Sequence, residues 1–349
     1  MVQHGGGGRR RRWQLGKLIA GCFVALSLSS CTLARLDHAA RLEENARLVD
    51  EVKAFGRTLG IEPTEALSRT AQERPALSML WLWMQRDGTL ALDGPIDVRM
   101  AIGFAAVRED LKLEQVYQVD RYSVYYRQGN EFADSRSVAT VGFAEEELLR
   151  RVQVVLHEDL HGDENFNLSW EIEESIVTPL GSLAAAEFFR RKGDQRSLKQ
   201  ALASLEKERE LARELNGIVA EAEEIFKVAS LEKAKTQILN LMPSYPVYHR
   251  QFQRQTEDQH PPTVLEAKLS HDLAYYRHFD EIVALAEKVG NLKVLIDDFK
   301  KLPHDTSQDG MQAYLRQLKT QYSQAGSVSD FASGGGQGDA GSVARGPVS

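Results

Sequence analysis

The longest regular pattern in the chain covers residues 195–240, where Leu, Ala, Glu and Lys dominate and apolar residues recur at helical spacing. Apolar residues that recur every three or four positions line one face of a helix, so this stretch predicts one long helix or an antiparallel pair. Its charged faces indicate a solvated scaffold hairpin rather than a coil that binds a partner. The same periodicity over 36–70, 145–161, 169–189 and 264–300 predicts further helices.

Extended structure is expected in a smaller part of the chain. Residues 77–84 are apolar and rich in Trp, and they fit a buried strand or a short helix. Residues 115–127 are rich in Val and Tyr and predict a strand or hairpin, and 137–143 is a second strand candidate. The four prolines of 243–263 indicate a loop. Together these patterns predict an α+β fold that is predominantly helical, with a small sheet near residues 115–143.

The N-terminus has the layout of an export signal. A basic cluster at residues 9–12 and Lys17 precede a short apolar run over 18–28. A membrane-spanning helix needs about 20 apolar residues, so this run fits a cleaved secretory signal peptide better. The run ends in Leu-Ser-Ser-Cys31, which resembles the lipobox that is cleaved and acylated in bacterial lipoproteins. Cys22 also ends a lipobox-like tetrapeptide, but almost no apolar run separates it from Lys17.

Cys31 is therefore the predicted lipidation site. We expect an exported protein that is anchored to the cell envelope through its N-terminal lipid, on the periplasmic side. In a cell with two membranes, the expected location is the outer membrane. The chain has only two cysteines, both in this segment, so the mature protein is expected to lack a disulfide framework and a cysteine-ligated metal site. A net charge of −7 argues against nucleic acid as the main partner.

The patterns divide the chain into five consecutive parts. These are a signal peptide (1–30), an N-terminal region with the small sheet and the candidate site helices (31–190), a helical hairpin (191–245), a C-terminal helical region that completes the catalytic domain (246–323) and a disordered tail (324–349). The tail is rich in Gly and Ser and lacks an apolar period, so it predicts no packed element.

A His-Glu-x-x-His pattern lies inside the helix predicted at 145–161. Side chains four positions apart lie on one face of a helix, so His157 and His161 can reach a single metal ion. Glu158 lies about 100° further round the helix, where it can take a proton from a metal-bound water without binding the metal itself. The pattern therefore predicts a Zn²⁺ site in which Glu158 is the general base.

A catalytic zinc usually has a third protein ligand, and three acids begin the next predicted helix, namely Glu171, Glu173 and Glu174. Glu174 shares its helical face with the small residues Thr178, Gly181 and Ala185. These residues would let the helix approach the histidine helix closely, so Glu174 is the favoured ligand. Glu173 shares its face with larger apolar residues. Alternatively, all three acids form a solvated first turn that complements the helix dipole.

Supporting roles in such a site are expected from other side chains. His271, Tyr275 and His278 share one helical face, and one of them could donate to the oxyanion of a tetrahedral intermediate. Tyr276 adjoins Tyr275, and the spacing does not decide between the two. Aromatic residues at helical spacing are also typical of a core, which leaves that interpretation open. An acid should orient each histidine ligand, and the candidates are Asp159, Asp163 and Glu171.

Several segments resemble one known family. The order His157-Glu158-x-x-His161, then twelve residues, then Glu174-Ser175-x-x-Thr178-x-x-Gly181, is similar to a bacterial zinc aminopeptidase family with the motifs HELAH and NESFATFVG. Three further segments look similar to parts of that family: CTLAR at 31–35, VKAFGRTLGIEP at 52–63 and LSHDLAYYRHFDEIVAL at 269–285. The resemblance implies a gluzincin-like metallopeptidase with a zincin-like pair of catalytic helices and a peptide substrate.

The chain also departs from that family's pattern. Glu173 stands where the family has Asn before the ligand Glu, and Leu265-Glu266-Ala267 stands where it has Asn-Asn-Ala. Residues 70–140 do not align with it. These departures leave the zinc ligands in place and bear on substrate preference.

The expected function is that of a membrane-anchored zinc metallopeptidase, aminopeptidase-like, that hydrolyses peptide bonds. Two other hypotheses are a non-catalytic lipoprotein scaffold or binding module with a vestigial or structural metal site, and a hydrolase that uses the same site on a non-peptide amide. Strand 137–143 is a candidate edge on which an extended peptide could add as a further strand.

Overall fold

The computed structural model describes residues 38–71, 77–90, 96–102, 121–129 and 137–329. The predicted signal peptide, the candidate lipidation site Cys31 with its alternative Cys22, and residues 330–349 of the predicted tail lie outside these described residues. Among the helices of the described part, none is both long enough and apolar enough to cross a membrane.

Helices account for most of the described residues, which confirms the predicted predominantly helical α+β fold. They are α1 (38–58), α2 (Val141–Glu145), α3 (Leu148–His161), α4 (Trp170–Lys192), α5 (Gln195–Val228), α6 (Leu231–Leu241), α7 (Pro246–Gln255), α8 (Pro261–Tyr276), α9 (Phe279–Val289), α10 (Leu292–Phe299) and α11 (Gln308–Ser329). Two short 3-10 turns, Glu164–Phe166 and Met242–Ser244, follow α3 and α6. The stretch at 195–240, predicted as one long helix or a pair, forms the pair α5 and α6.

The described strands form two small sheets. They are β1 (Thr70–Ala71), β2 (Leu77–Arg86), β3 (Ile96–Ile102), β4 (Tyr122–Gly129) and β5 (Ala139–Thr140). β2 lies between β3 and β4 in an antiparallel sheet, and β1 pairs with β5 in parallel. The Trp-rich residues 77–84 are thus a strand. Of the predicted strand at 115–127, residues 122–127 belong to β4, and 115–120 lie outside the described residues.

The strand predicted at 137–143 is wrong beyond Thr140. The Thr140 side chain accepts a hydrogen bond from the backbone N–H of Phe143 and so begins helix α2, as N-terminal caps of helices do. The remaining strand has two residues, Ala139 and Thr140, and both are buried. A strand so short and so buried offers no edge for an extended peptide, so the structure gives no support to substrate addition there.

The loop predicted at 243–263 is wrong as well, because its prolines begin helices. Pro246 is the first residue of α7, and Pro261 is the first residue of α8. The first N–H groups of a helix have no acceptor within the helix, so a residue without an N–H loses nothing there. The prolines therefore mark helix starts rather than irregular structure.

Other predicted boundaries also change. The helix predicted over 36–70 ends at residue 58. The helix predicted at 264–300 is broken after Tyr276 and again at Gly290, whose φ of 63° lies in the left-handed region. The tail predicted from residue 324 starts too early, because α11 continues to Ser329.

Helix α4 is the centre of the fold. It packs against α3, α5, α8, α9 and α10, and its buried residues lie all round its circumference rather than along one stripe. One apolar cluster joins α1, α3 and α4 to α9, α10 and α11, and a second joins the three-stranded sheet to helices α5 to α8. The first turn of α4 lies between the two clusters, since Ile172 belongs to the first and Trp170 packs on the second.

Gly162 follows the last residue of α3, and its role there is close packing rather than a left-handed turn. Its φ of −80° suits any residue. A Cβ atom at this position would lie 1.8 Å from Cγ2 of Thr64. Thr64 cannot simply rotate away, because its hydroxyl donates a hydrogen bond of 2.8 Å to Oδ1 of Asp159.

We expect Gly162→Ala to lower the free energy of unfolding by about 1–3 kcal/mol, because the added methyl overpacks the contact with Thr64. The measurement is chemical denaturation of the wild type, Gly162→Ala, Thr64→Ser and the double variant. Thr64→Ser keeps the hydroxyl and removes the clashing methyl. In the Thr64→Ser background, Gly162→Ala should therefore lower the free energy of unfolding by much less. Equal costs in both backgrounds would contradict this account of the contact.

Candidate metal centre

Helices α3 and α4 lie close together where Gly181 faces His157. A Cβ atom at Gly181 would lie 3.4 Å from Cβ and 3.5 Å from Cα of His157. A larger side chain at 181 would separate the two helices. Of the small residues expected to let the helices approach, Gly181 is in close contact with the histidine helix.

This approach gathers the three predicted ligands into one cluster. The Nε2 atoms of His157 and His161 are 3.0 Å apart. Oε2 of Glu174 lies 3.6 Å from Nε2 of His157, and Oε1 lies 3.5 Å from Nε2 of His161. Four ligands around zinc at bond lengths near 2.0–2.1 Å would lie about 3.3 Å apart, so the donor set and its spacing fit a tetrahedral zinc.

The electrostatics of the cluster favour a shared cation. Burial lowers the pKa of His161, but hydrogen bonds with Glu173 and Glu174 and the charge of Glu158 outweigh it and raise that pKa to about 10. Burial and the neighbouring His161 lower the pKa of His157 to about 3. Burial raises the pKa of Glu174, but its hydrogen bond with His161 lowers it below the ordinary value. Acidic groups held this closely around two imidazoles stabilise a positive charge between them.

Glu173 has a role that the sequence analysis missed. Its Oε1 lies 2.5 Å from Nδ1 of His161, on the side of the ring away from the cluster. A carboxylate in this position fixes the orientation of the imidazole and makes its other nitrogen a better metal ligand. From the sequence, Glu173 is only a rival ligand, because helical spacing shows which face it occupies and not which side chain faces it there.

Two of the three acids predicted for that orienting role, Asp159 and Asp163, are engaged elsewhere. The third, Glu171, has no hydrogen bond with either imidazole among the described residues. Oδ1 of Asp159 accepts hydrogen bonds from Nζ of Lys53 at 2.5 Å and from the backbone N–H of Thr64 at 2.9 Å. Asp163 pairs with Lys300. These contacts tie α3 to α1 and α10, so the two aspartates hold the helix that carries the histidines.

Glu158 lies beside the cluster in a protected position. It occupies the turn of α3 between the two histidines and is only 6% exposed. Its charge acts on His161, as its contribution to the raised pKa of that imidazole shows. Its role as a base that adjoins a bound metal without binding it stays a prediction.

Two of the four candidate residues, His271 and Tyr275 on α8, lie close enough to Glu174 to interact with it electrostatically. Burial and the charge of Glu174 raise the pKa of Tyr275, and His271 acts electrostatically on Glu174 as well. The ring of Tyr275 contacts Trp170, which lies one turn before Glu174 on α4, at a centroid distance of 5.9 Å. His271 packs edge-on against Trp83 at 4.0 Å.

The other two candidates on this segment lie elsewhere. Tyr276 packs on Phe279, with ring centroids 5.7 Å apart, in an apolar cluster with Leu205. His278 lies beyond the end of α8, and its Nε2 lies 3.3 Å from Oε1 of Gln308. The predicted shared face of His271, Tyr275 and His278 is wrong at its last member, because the helix ends before that residue.

Comparison with known proteins gives no further guide. The chain matches no protein-family model, and neither curated proteins nor solved structures include a significant match to it. The resemblance to zinc aminopeptidases therefore rests on the short segments quoted above. The chemistry of the site has to be argued from its own geometry.

We expect Glu173→Ala to weaken zinc binding by about 10- to 100-fold, because His161 loses the carboxylate that orients it. The measurement is competition for zinc with a chromophoric chelator. Glu171→Ala is the matched control, since it removes the same charge from the same first turn of α4. Equal losses in both variants would mean that the effect comes from the helix dipole or the net charge, and not from the contact with His161.

Proposed function

We propose that this protein is a zinc-dependent metallopeptidase whose metal is held by His157, His161 and Glu174. The observation that carries the proposal is the spacing of their ligand atoms, which lie 3.0 to 3.6 Å apart on two packed helices. Two histidines and one glutamate are a known ligand set of catalytic zinc, and three protein ligands leave one position open for water or substrate.

Zinc, when bound, would lower the pKa of its water to about 7 and polarise the substrate carbonyl. Glu158 is the general base of this proposal. It takes a proton from the attacking water and returns it to the leaving amine, so one side chain serves both halves of the reaction. Its low exposure keeps bulk water from competing for that proton.

Tyr275 is the proposed donor to the oxyanion. Burial and the charge of Glu174 raise its pKa, so the phenol keeps its proton at neutral pH and can donate. Its position beside the ligand Glu174 puts that donor next to the expected reaction centre. Tyr276, which packs in the apolar cluster with Phe279, takes no part in this proposal.

Helices α3 and α4 would then be a zincin-like catalytic pair, as the resemblance to zinc aminopeptidases implies. The same resemblance supports a peptide substrate and aminopeptidase-like cleavage. The lipobox-like segment at Cys31 supports export and a lipid anchor in the cell envelope. The proposed protein is therefore a peptidase that acts at a membrane surface.

We expect Glu158→Gln to keep the fold and one bound zinc while it lowers peptide turnover by about 10²- to 10⁴-fold, because only the proton transfer is removed. The measurements are zinc content, circular dichroism and turnover of a peptide panel. Glu164→Gln is the matched control, since Glu164 is an exposed acid in the turn after α3.

The same experiment separates the rival functions. Wild-type protein that binds zinc but cleaves no peptide and no other amide would favour the scaffold with a structural metal site. Turnover of non-peptide amides alone would keep the mechanism and change the substrate. Peptide turnover that survives Glu158→Gln would contradict the assignment of the base.

A further inference from the structure

A group of buried polar side chains lies on α7 and α8, and one of its members, His271, interacts electrostatically with Glu174. Its members are Lys268, His271 and Asp272 of α8 and Tyr248 of α7. Lys268 and Tyr248 are fully buried, Asp272 is 2% exposed and His271 is 6% exposed. Burial of this many polar groups costs free energy unless they form hydrogen bonds or ion pairs with one another. Their mutual contacts are therefore expected to be specific.

Asp272 is the hub of this cluster. Its Oδ2 accepts a hydrogen bond of 2.9 Å from the hydroxyl of Tyr248 and a further one from Nζ of Lys268. Its Oδ1 lies 2.7 Å from Nδ1 of His271. Burial raises the pKa of Asp272, but the charge of Lys268 and the contact with His271 outweigh it and lower that pKa. Asp272 is thus an ionised carboxylate that can only accept hydrogen bonds.

The state of His271 follows from that contact. An ionised carboxylate opposite Nδ1 requires the proton to be on Nδ1. Burial lowers the pKa of the imidazole to about 4, so at neutral pH the ring is uncharged. Its Nε2 then carries no proton and is a hydrogen-bond acceptor. That atom is buried and has no hydrogen-bond partner among the described residues.

The surroundings of His271 connect this acceptor to the proposed reaction. The imidazole lies among the rings of Trp83, Tyr125 and Tyr275, at centroid distances of 4.0, 5.2 and 5.2 Å. It is also close enough to Glu174 to act on that ligand electrostatically. An unsatisfied buried acceptor costs about 1–3 kcal/mol, which a folded protein tolerates where a ligand supplies the missing donor.

We propose that Asp272 is a positioning residue that holds His271 with a bare Nε2, and that this nitrogen accepts a hydrogen bond from an N–H group of the substrate. The inference rests on the proposed peptidase function and extends it. Tyr275 donates a hydrogen bond to the carbonyl oxygen of the substrate, and His271 accepts one from a nitrogen of the substrate. The pair therefore recognises an amide, or an amine that lies next to a carbonyl group. The site therefore selects amides and peptides with an N–H group over esters that lack it.

The tautomer is tested first, by ¹⁵N NMR of the purified protein with labelled histidine, both zinc-free and zinc-loaded. The spectrum of His271→Gln identifies the signals of this ring. We expect a neutral ring with the proton on Nδ1. In Asp272→Asn the amide oxygen should remain with the donors Lys268 and Tyr248, which turns the amide NH₂ towards Nδ1 and moves the ring proton to Nε2.

The selectivity is tested with a peptide and with its depsipeptide analogue, in which an ester oxygen replaces one N–H. The ratio of kcat/KM for the peptide to kcat/KM for the depsipeptide should be about tenfold lower in Asp272→Asn and in His271→Phe than in the wild type. This factor corresponds to the loss of one hydrogen bond of ordinary strength. His271→Gln can place its amide oxygen near the former Nε2 and should recover part of the preference. If Asp272 and His271 had a merely structural role, the substitutions would lower kcat/KM for both substrates equally.

Either result can overturn the inference. A wild-type ring with its proton on Nε2, or a ring that keeps the Nδ1 proton in Asp272→Asn, would contradict the positioning role. An unchanged preference between peptide and ester would contradict the contact with the substrate. If the wild type cleaves neither substrate, the proposed function fails, and the inference is then decided by whether the peptide, but not the ester, shifts the Nε2 signal of the zinc-free protein.

Discussion

The site depends on the close packing of α4 against α3. Gly181 leaves room for the backbone of His157, and this contact sets the distance at which a carboxylate on α4 reaches two imidazoles on α3. Glu174 lies two turns before Gly181 on the same helix, so it meets the histidines because the helices are this close. The position of α4 in the middle of the molecule, with neighbours on all sides, keeps that distance fixed.

Buried and partly buried carboxylates then fix the imidazoles and the helices that carry them. Glu173 orients His161, Asp272 orients His271, and Asp159 ties α3 to Lys53. Each carboxylate is stable in its place because a cation or several donors satisfy it. The candidate ligand atoms are thus held in place by the fold, which would reduce the ordering that metal binding requires.

The sequence predicted the parts of this arrangement that depend on one helix at a time. Spacing of four residues predicted that His157 and His161 share one helical face. The small residues after Glu174 predicted that the helix of Glu174 approaches the histidine helix closely. The role of Glu173 was missed, because it depends on how two helices are rotated against each other, which spacing within one helix does not determine. The prolines of 243–263 were misread as a loop, although a proline suits a helix start as well as an irregular segment. His278 was one of three alternative oxyanion donors on a predicted helical face, but the helix ends at Tyr276.

The most direct test of the account is the zinc content of the purified protein after loading and dialysis, measured by elemental analysis beside His161→Ala and Glu174→Ala. His249→Ala removes a histidine outside the cluster and is the control. The account predicts about one zinc per chain in the wild type and the control, and its loss in both ligand variants. No retained zinc in the wild type, or zinc that survives Glu174→Ala, would contradict the three-ligand site on which the proposed function rests.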